Sequence, residues 1–185
     1  VFAVGTAALV VNVVAAAFTL AGALTYALLY TLALKRRTAW NIVVGGAAGS
    51  FAVLAGAAAV NPQIGPLAWL LALVLFLWTP PHFWSLAIAN TAEYEAAGVP
   101  MLPVVVGVPR AARIVHANAL LLVAVSLLPL AFGAGWVYGA GALIGGAHFV
   151  RKTHALARAP DRKTALAAFF VKLVLSTVTR PEPSL

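Results

Sequence analysis

Long apolar runs separated by short polar or charged stretches make up most of this sequence. A helix needs about 20 apolar residues to cross the hydrocarbon core of a bilayer. Measured against that length, the pattern predicts about seven membrane-spanning segments, of which the first is partial. The segments are 1–11, 13–34, 40–60, 66–97, 114–132, 136–150 and 165–179, and the last carries Lys172. The predicted fold is therefore an all-α, multi-pass transmembrane helical bundle.

The fourth segment, 66–97, is too long for one straight crossing, since it would reach about 48 Å at 1.5 Å per residue. Pro80 and Pro81 remove backbone donors in its middle. Thr79 as an N-cap, with Pro80 at the first helical position, predicts that a new helix starts there. Gly98 is the expected stop. The second half should then project from the lipid into the aqueous interface.

Composition excludes a soluble fold. The chain is 63% hydrophobic and only 9% charged, whereas an average soluble domain is roughly 25% charged. A formal net charge of +8 would suggest nucleic-acid binding in a soluble protein. Here the cations lie in short clusters between apolar runs, so we expect no nucleic-acid partner and a lipid bilayer instead. The absence of cysteine excludes disulfides, thiolate metal sites and covalent haem attachment.

One transmembrane domain is expected over residues 1–180, followed by a short tail at 181–185. The sequence begins inside an apolar run, and its only methionine is Met101. We therefore expect further helices upstream of Val1.

The cations predict which side of the membrane each loop occupies. If the spans alternate in direction, the loops after the second, fourth and sixth lie on one side. These loops, 35–37, 93–113 and 151–163, hold most of the 12 Lys and Arg residues, and the opposite loops hold none. Positively charged loops face the cytoplasm, so we expect a protein of the cell inner membrane with these three loops cytoplasmic.

Two charged groups on that side could bind a lipid diphosphate. Lys35, Arg36 and Arg37 would neutralise phosphate oxygens, and Glu93 and Glu95 would hold Mg²⁺. The side chains that would lie beside the lipid tail are Phe76, Trp78, Phe83 and Trp84. Alternatively, the cations only mark topology, and the glutamates and tryptophans are ordinary interfacial residues.

Histidines offer a second set of candidates. His82 precedes Glu93 by eleven residues, which would place both on nearly the same helix face. A histidine at membrane depth is costly and often functional, although it could equally bond a neighbouring helix. His116, His148 and His154 share no spacing that suggests a metal or haem site, and we expect them at the interface.

Three stretches resemble the haem-O synthases, which are protohaem IX farnesyltransferases. They are WTPPHFWSLAI at 78–88, YEAAGVPMLPVV at 94–105, and YTLALKRRTAWN at 30–41 followed by GGAAG at 45–49. The resemblance implies a UbiA-type prenyltransferase fold of nine helices, of which this chain would hold about seven. It also implies farnesyl transfer from farnesyl diphosphate to a vinyl group of haem B, with Mg²⁺ held by two acidic motifs.

Carried over by position, the resemblance makes Glu93, Lys35 and Arg36 the candidate catalytic residues. Lys35 and Arg36 would contact the diphosphate, and Glu93 stands where the family has an aspartate of its second acidic motif. Glu93 and Glu95 are the candidate metal ligands. The remaining candidates for substrate binding are Tyr30, Arg37, Asn41, Trp78, His82, Phe83, Trp84 and Tyr94. The resemblance leaves open whether His82 contacts haem or packs between helices.

The sequence departs from the family pattern in two places. The first acidic motif would lie upstream of Val1. The second is weakened, because Asn90, Thr91, Ala92 and Glu93 stand where the family has a basic residue and paired aspartates. We therefore expect this chain alone to be inactive as a farnesyltransferase.

Three other functions compete with this one. The first is a prenyltransferase acting on a quinone-type aromatic acceptor. The second is a multi-pass transporter, which would require paired intramembrane charges or inverted repeats. The third is a non-catalytic membrane protein that assembles with oxidase-biogenesis proteins.

Overall fold

The structure, a computed structural model, describes residues 2–171, with side chains from residue 4 onward. Within this range the regular structure is helical, and no strand occurs. The α-helices are α1 (Phe2–Val10), α2 (Val13–Leu24), α3 (Asn41–Val60), α4 (Pro66–Ala89), α5 (Thr91–Ala96), α6 (Leu102–Val106), α7 (Val108–Ser126), α8 (Trp136–Arg158) and α9 (Arg162–Phe169). A π-helix (Thr25–Leu34) continues α2, and a 3₁₀-helix (Leu128–Phe132) continues α7.

Successive long helices pack side by side as an antiparallel bundle, in the order α2, α3, α4, α7 and α8, and α9 packs against α4 and α8. Small residues of α3 bring its backbone close to its neighbours. A β-carbon on Gly46 would lie 3.0 Å from the Thr79 Cβ, and one on Gly49 would lie 3.5 Å from Leu75. Such close approaches drive helix association in lipid, where burial of apolar surface contributes little.

Four helical stretches are long and apolar enough to cross a membrane, namely Val13–Leu34, Asn41–Val60, Pro66–Ala89 and Val108–Phe132. They confirm the prediction of a multi-pass helical bundle. Helix α8 is not among them, and it runs past the predicted end of its segment, so that Arg151 and Lys152 lie within it. Most of the predicted segment 165–179, including Lys172, lies outside the described residues.

The predicted helix start at Thr79 is wrong, because α4 passes through Pro80 and Pro81 without a break. The Thr79 hydroxyl does not cap a helix but donates to the Leu75 carbonyl at 3.0 Å, and Ser85 donates to the Pro81 carbonyl at 2.7 Å. These hydroxyls bond carbonyls other than the two that the prolines leave without a donor, so packing against neighbouring helices is what lets this helix tolerate proline. Both prolines are buried against neighbouring helices.

The helix instead ends at Asn90, whose backbone leaves the helical region with φ −127° and ψ 37°. The Asn90 backbone N–H and side-chain amide both donate to the Leu86 carbonyl, at 3.2 Å and 3.0 Å. The Thr91 hydroxyl donates to the carbonyls of Ala87 and Ile88, which the helix end leaves free. The short helix α5 then continues in a new direction.

The stop predicted at Gly98 is confirmed. Gly98 has a φ of +63°, and hydrogen bonds run from the Gly98 N–H to the Glu95 carbonyl and from the Val99 N–H to the Tyr94 carbonyl. This pair of bonds is the Schellman motif, which requires a left-handed residue that glycine adopts without strain. The chain then folds back, and it buries Met101 and Pro103 in the bundle.

The larger buried core lies at the end of the bundle that carries the cationic loops. It joins the last turns of α4 to the first turns of α3 and α7, to the end of α8 and to α9. Its members are Ile42, Trp84, Ala87, Ile88, Ala89, Met101, Ala111, Ala112, Val115, Leu156, Ala165 and Ala168. The loops at this end are therefore anchored on a packed base.

The π-helix Thr25–Leu34 leads directly into Lys35. Its bonds span five residues, as from the Lys35 N–H to the Tyr30 carbonyl at 2.8 Å, and the Thr31 hydroxyl donates to the Tyr26 carbonyl. Such helices are rare and occur frequently at functional sites. No periodicity in the sequence predicts it.

Candidate functional site

Two tyrosines bring the cationic turn and the glutamates to the same end of the bundle. Tyr30, at one turn before Lys35, and Tyr94, directly after Glu93, both pack against the larger core. Ile42, in the first turn of α3, belongs to that core. The end of the π-helix, the start of α3 and helix α5 therefore surround one region.

Asn41 fixes the backbone of the cationic turn. Its side chain is 1% exposed, and its Nδ2 donates to the Lys35 carbonyl at 3.1 Å. Its Oδ1 is buried and has no hydrogen-bond partner. The side chains of Lys35, Arg36 and Arg37 are exposed, so the turn is held by its backbone while its charges remain free to meet an anion.

Glu93 and Glu95 are both exposed on α5. Residues two apart on a helix point about 200° away from each other, so the two carboxylates cannot easily share one ion. Within residues 2–171, no group of three His, Asp or Glu side chains could hold a metal. One exposed carboxylate still fits Mg²⁺, which usually takes one or two protein oxygens and completes its shell with phosphate and water. Glu93 and Glu95 as a joint pair of ligands stays a prediction.

His82 lies between two aromatic rings. Its ring centre is 4.3 Å from that of Trp78 and 4.3 Å from that of Phe169, with interplanar angles of 21° and 23°. Its Nδ1 is buried without a hydrogen-bond partner. The stack joins α4 to α9, and Phe169 is a residue that no motif in the sequence singles out.

Trp78 and His82 share one face of α4, and Phe83 and Trp84 follow at about 100° per residue. Phe83 is 40% exposed, and its ring meets that of His82 edge to face with the ring centres 5.2 Å apart. Trp84 is 4% exposed, lies in the larger core and leaves its Nε1 without a partner. The expectation that His82 and Glu93 share a helix face is wrong, because the break at Asn90 separates them.

A contact between two histidines is also missed by sequence reasoning. His116 on α7 and His154 on α8 have ring centres 5.2 Å apart. Their positions along the chain share no motif spacing, and only the antiparallel packing of the two helices brings them together. His148 does not join them and instead accepts a hydrogen bond from Arg151 at 3.1 Å.

Comparison with known proteins shows the family. The model of the UbiA prenyltransferase family matches residues 1–175. This chain belongs to the UbiA prenyltransferase family. The family match therefore includes the three stretches at 30–41, 78–88 and 94–105 that carry the resemblance, together with all of the described residues.

Individual UbiA relatives carry more specific names. The chain is 53% identical over 189 residues to "Protoheme IX farnesyltransferase 2" of Paramagnetospirillum magneticum, with 100% of this chain and 66% of the relative covered. It is 47% identical over 160 residues to "Protoheme IX farnesyltransferase" of Marinobacter nauticus, covering 86% of this chain and 53% of the relative. It is 46% identical over 159 residues to the protein of that name from Thermus thermophilus, covering 85% of this chain and 26% of the relative.

The chain thus spans between about a quarter and two thirds of the length of these UbiA relatives. No solved structure matches it.

Proposed function

We propose that this chain is part of an enzyme that transfers a farnesyl group from farnesyl diphosphate to a vinyl group of haem B. The observation that carries the proposal is that Tyr30, before the cationic turn, and Tyr94, after the exposed Glu93, pack against the same core at one end of the bundle. Relatives named protoheme IX farnesyltransferase support this acceptor. Because the chain spans only part of those relatives, the activity is proposed for the protein as a whole.

Lys35 and Arg36 would bind the diphosphate, and Asn41 would hold the turn that presents them. Opposite charges neutralise the negative charge that grows on the diphosphate as its carbon–oxygen bond breaks. The vinyl group then supplies the electron pair for the new carbon–carbon bond. Water quenches the cationic carbon left beside the porphyrin and loses a proton.

Glu93 would hold Mg²⁺ together with diphosphate oxygens and water. When bound, the ion would assist departure of the diphosphate by taking up its charge. The stack of Trp78, His82 and Phe169 offers aromatic faces near the buried end of α4, and such faces stabilise a nearby cation. A contact between His82 and haem remains part of this proposal.

The proposed location is the cell inner membrane, with the cationic loops facing the cytoplasm. An excess of Lys and Arg in these loops supports that orientation. Assembly with oxidase-biogenesis proteins stays a prediction.

Substitution of single charges in the full-length protein, reconstituted in lipid nanodiscs, tests the proposal. We expect Lys35→Gln and Glu93→Gln each to lower kcat/KM for farnesyl diphosphate by about 10- to 100-fold, the equivalent of a lost charge-assisted hydrogen bond. The product is identified by mass as farnesylated haem. A product formed only with a quinone-type acceptor would overturn the proposed substrate.

Two matched variants serve as controls. Arg158→Gln removes a cation from the end of α8, and Asp161→Asn removes a carboxylate from the start of α9 while keeping a capping side chain. Both should keep kcat/KM within about threefold. Equal losses in Glu93→Gln and Asp161→Asn would contradict a specific role for Glu93.

A further inference from the structure

We propose that His116 and His154 form a two-histidine site for a divalent transition-metal ion, with Zn²⁺ as the ion that fits best. The site lies between α7 and α8, and neither helix carries a residue of the proposed diphosphate site. It therefore stands apart from the proposed prenyl transfer, and neither depends on the other.

The hydrogen bonds of Thr153 prepare His116 for a metal. The Thr153 hydroxyl donates its one hydrogen to the Val150 carbonyl at 3.1 Å, and its oxygen lies 3.1 Å from His116 Nδ1. While the hydroxyl hydrogen is on Val150, that oxygen accepts from the histidine, and Nδ1 then carries the proton. The lone pair is then on Nε2, which is the form of imidazole that binds metals. Thr153 is 0% exposed, so this bond is shielded from water.

His154 would supply the second metal-binding nitrogen. It directly follows Thr153 on α8. Its side chain is exposed and makes no hydrogen bond within residues 2–171. Its ring centre lies 5.2 Å from that of His116, with an angle of 59° between the planes. The pair is thus open to the aqueous interface, from which an ion can enter.

The separation of the rings fits a tetrahedral ion. Two imidazoles bound at about 2.0–2.1 Å and at a tetrahedral angle have their ring centres roughly 5 Å apart. Two imidazoles on opposite faces of a haem iron would stand farther apart, at more than about 6 Å. The observed 5.2 Å therefore favours a single ion held from one side.

The donor set also selects the class of metal. Two neutral imidazoles with no carboxylate beside them suit Zn²⁺, Cu²⁺ or Ni²⁺ and do not suit Mg²⁺. No third His, Asp or Glu in the described part of the chain completes the site, so water or an added anion would occupy the remaining positions. Arg151 and Arg158, on the same helix as His154, would weaken binding of a bare cation and favour an anion among those ligands.

His148 provides a control within α8. Its Nδ1 accepts a hydrogen bond from the Arg151 guanidinium at 3.1 Å, so the lone pair of that nitrogen is occupied and Nε2 carries the proton. It is exposed like His154. Metal binding by His116 and His154 should therefore not require His148.

The test is a titration of the untagged full-length protein with Zn²⁺ in detergent, followed by calorimetry, and with Co²⁺, followed by visible absorption. We expect His116→Ala and His154→Ala each to weaken one binding event by at least tenfold, and His148→Ala to change it by less than twofold. Thr153→Val should weaken it by roughly tenfold, because it removes the bond that fixes the His116 ring.

Several outcomes would overturn the site. They are an absence of saturable binding below about 1 mM, an equal loss in His148→Ala, or unchanged binding in His154→Ala. Because His154 is exposed, the His154→Ala variant should fold. If His116→Ala does not fold, His116→Gln takes its place in the titration. A tetrahedral Co²⁺ spectrum that disappears in His154→Ala would support the site.

Discussion

The ring of Tyr30 lies against Gly45 so closely that a β-carbon on Gly45 would come within 2.8 Å of the ring Cδ2. This contact joins the last turn of the π-helix to the first turns of α3, one turn before the cationic residues. A substituent at position 45 must therefore displace the base of the tyrosine ring, which has no flexible end to move aside. Tyr30 also packs against the larger core, so the displacement would reach the proposed diphosphate site.

Gly45→Ala is expected to destabilise the protein. Overpacking costs about 1–3 kcal/mol, and the better helix propensity of alanine offsets about 1 kcal/mol of that. We expect a net loss of up to about 2 kcal/mol in the free energy of unfolding. Denaturation of the protein in detergent measures it.

Gly56→Ala is the matched control, since Gly56 lies in the same helix and a β-carbon added there would have no atom of a neighbouring helix within 4 Å. It should leave the free energy of unfolding unchanged or raise it slightly. Equal losses in the two variants would show that the contact with Tyr30 contributes nothing.

Asn41→Leu is expected to loosen the cationic turn. The substitution removes the bond from Nδ2 to the Lys35 carbonyl, a contribution of about 1 kcal/mol. Amide hydrogen exchange over residues 35–40 should become faster. The stability of the whole protein should change less, because the same substitution also removes the unpaired buried Oδ1.

Asn118→Leu is the comparison variant. Asn118 on α7 also has a buried Oδ1 without a partner, but its side chain holds no turn. Exchange over residues 35–40 should remain at the wild-type rate in this variant. Faster exchange there in both variants would point to a general loss of packing.

Most of the long helices can be predicted from the sequence, because the length of an apolar run shows whether it can cross a membrane. The stop at Gly98 is predictable for another reason, since a left-handed glycine at a helix end is a local feature. The predicted start at Thr79 is wrong, because proline breaks a helix in water but is tolerated where neighbouring helices pack against it.

The site is only partly predictable. Charge alone places the cations and glutamates at one end. The contacts of His82 with Phe169 and of His116 with His154 depend on which helices pack together. A sequence shows spacing within one helix but not the pairing of two, so these contacts emerge only from the fold.

The start of α9 should be sensitive to acid. Asp161 caps this helix, and the backbone N–H and hydroxyl of Thr164 donate to its carboxylate and hold the pKa of Asp161 below its ordinary value. The cap therefore stabilises the helix above the pKa of the unfolded chain, about 3.9, and is lost as the pH falls through the lower folded value. Protection of the first α9 amides from hydrogen exchange should decrease only below about pH 4.

Asp161→Asn separates capping from titration, because asparagine caps helices but carries no charge. Its protection should not depend on pH in this range, whereas Asp161→Ala should lack protection at every pH. The same acid-induced loss in Asp161→Asn would show that another group is responsible.

The sidedness of the proposed site can be tested with single cysteines, because the chain contains none of its own. Arg36 and Glu95 are exposed at the end of the bundle that holds the larger core, and Gln63 is exposed in the loop between α3 and α4 at the other end. With an impermeant maleimide, Arg36→Cys and Glu95→Cys should react only in inverted vesicles. Gln63→Cys should react in intact cells, because one membrane crossing separates it from the other two. Labelling of Arg36→Cys and Glu95→Cys from opposite faces would separate the cations from the carboxylates, and no diphosphate site could then include both.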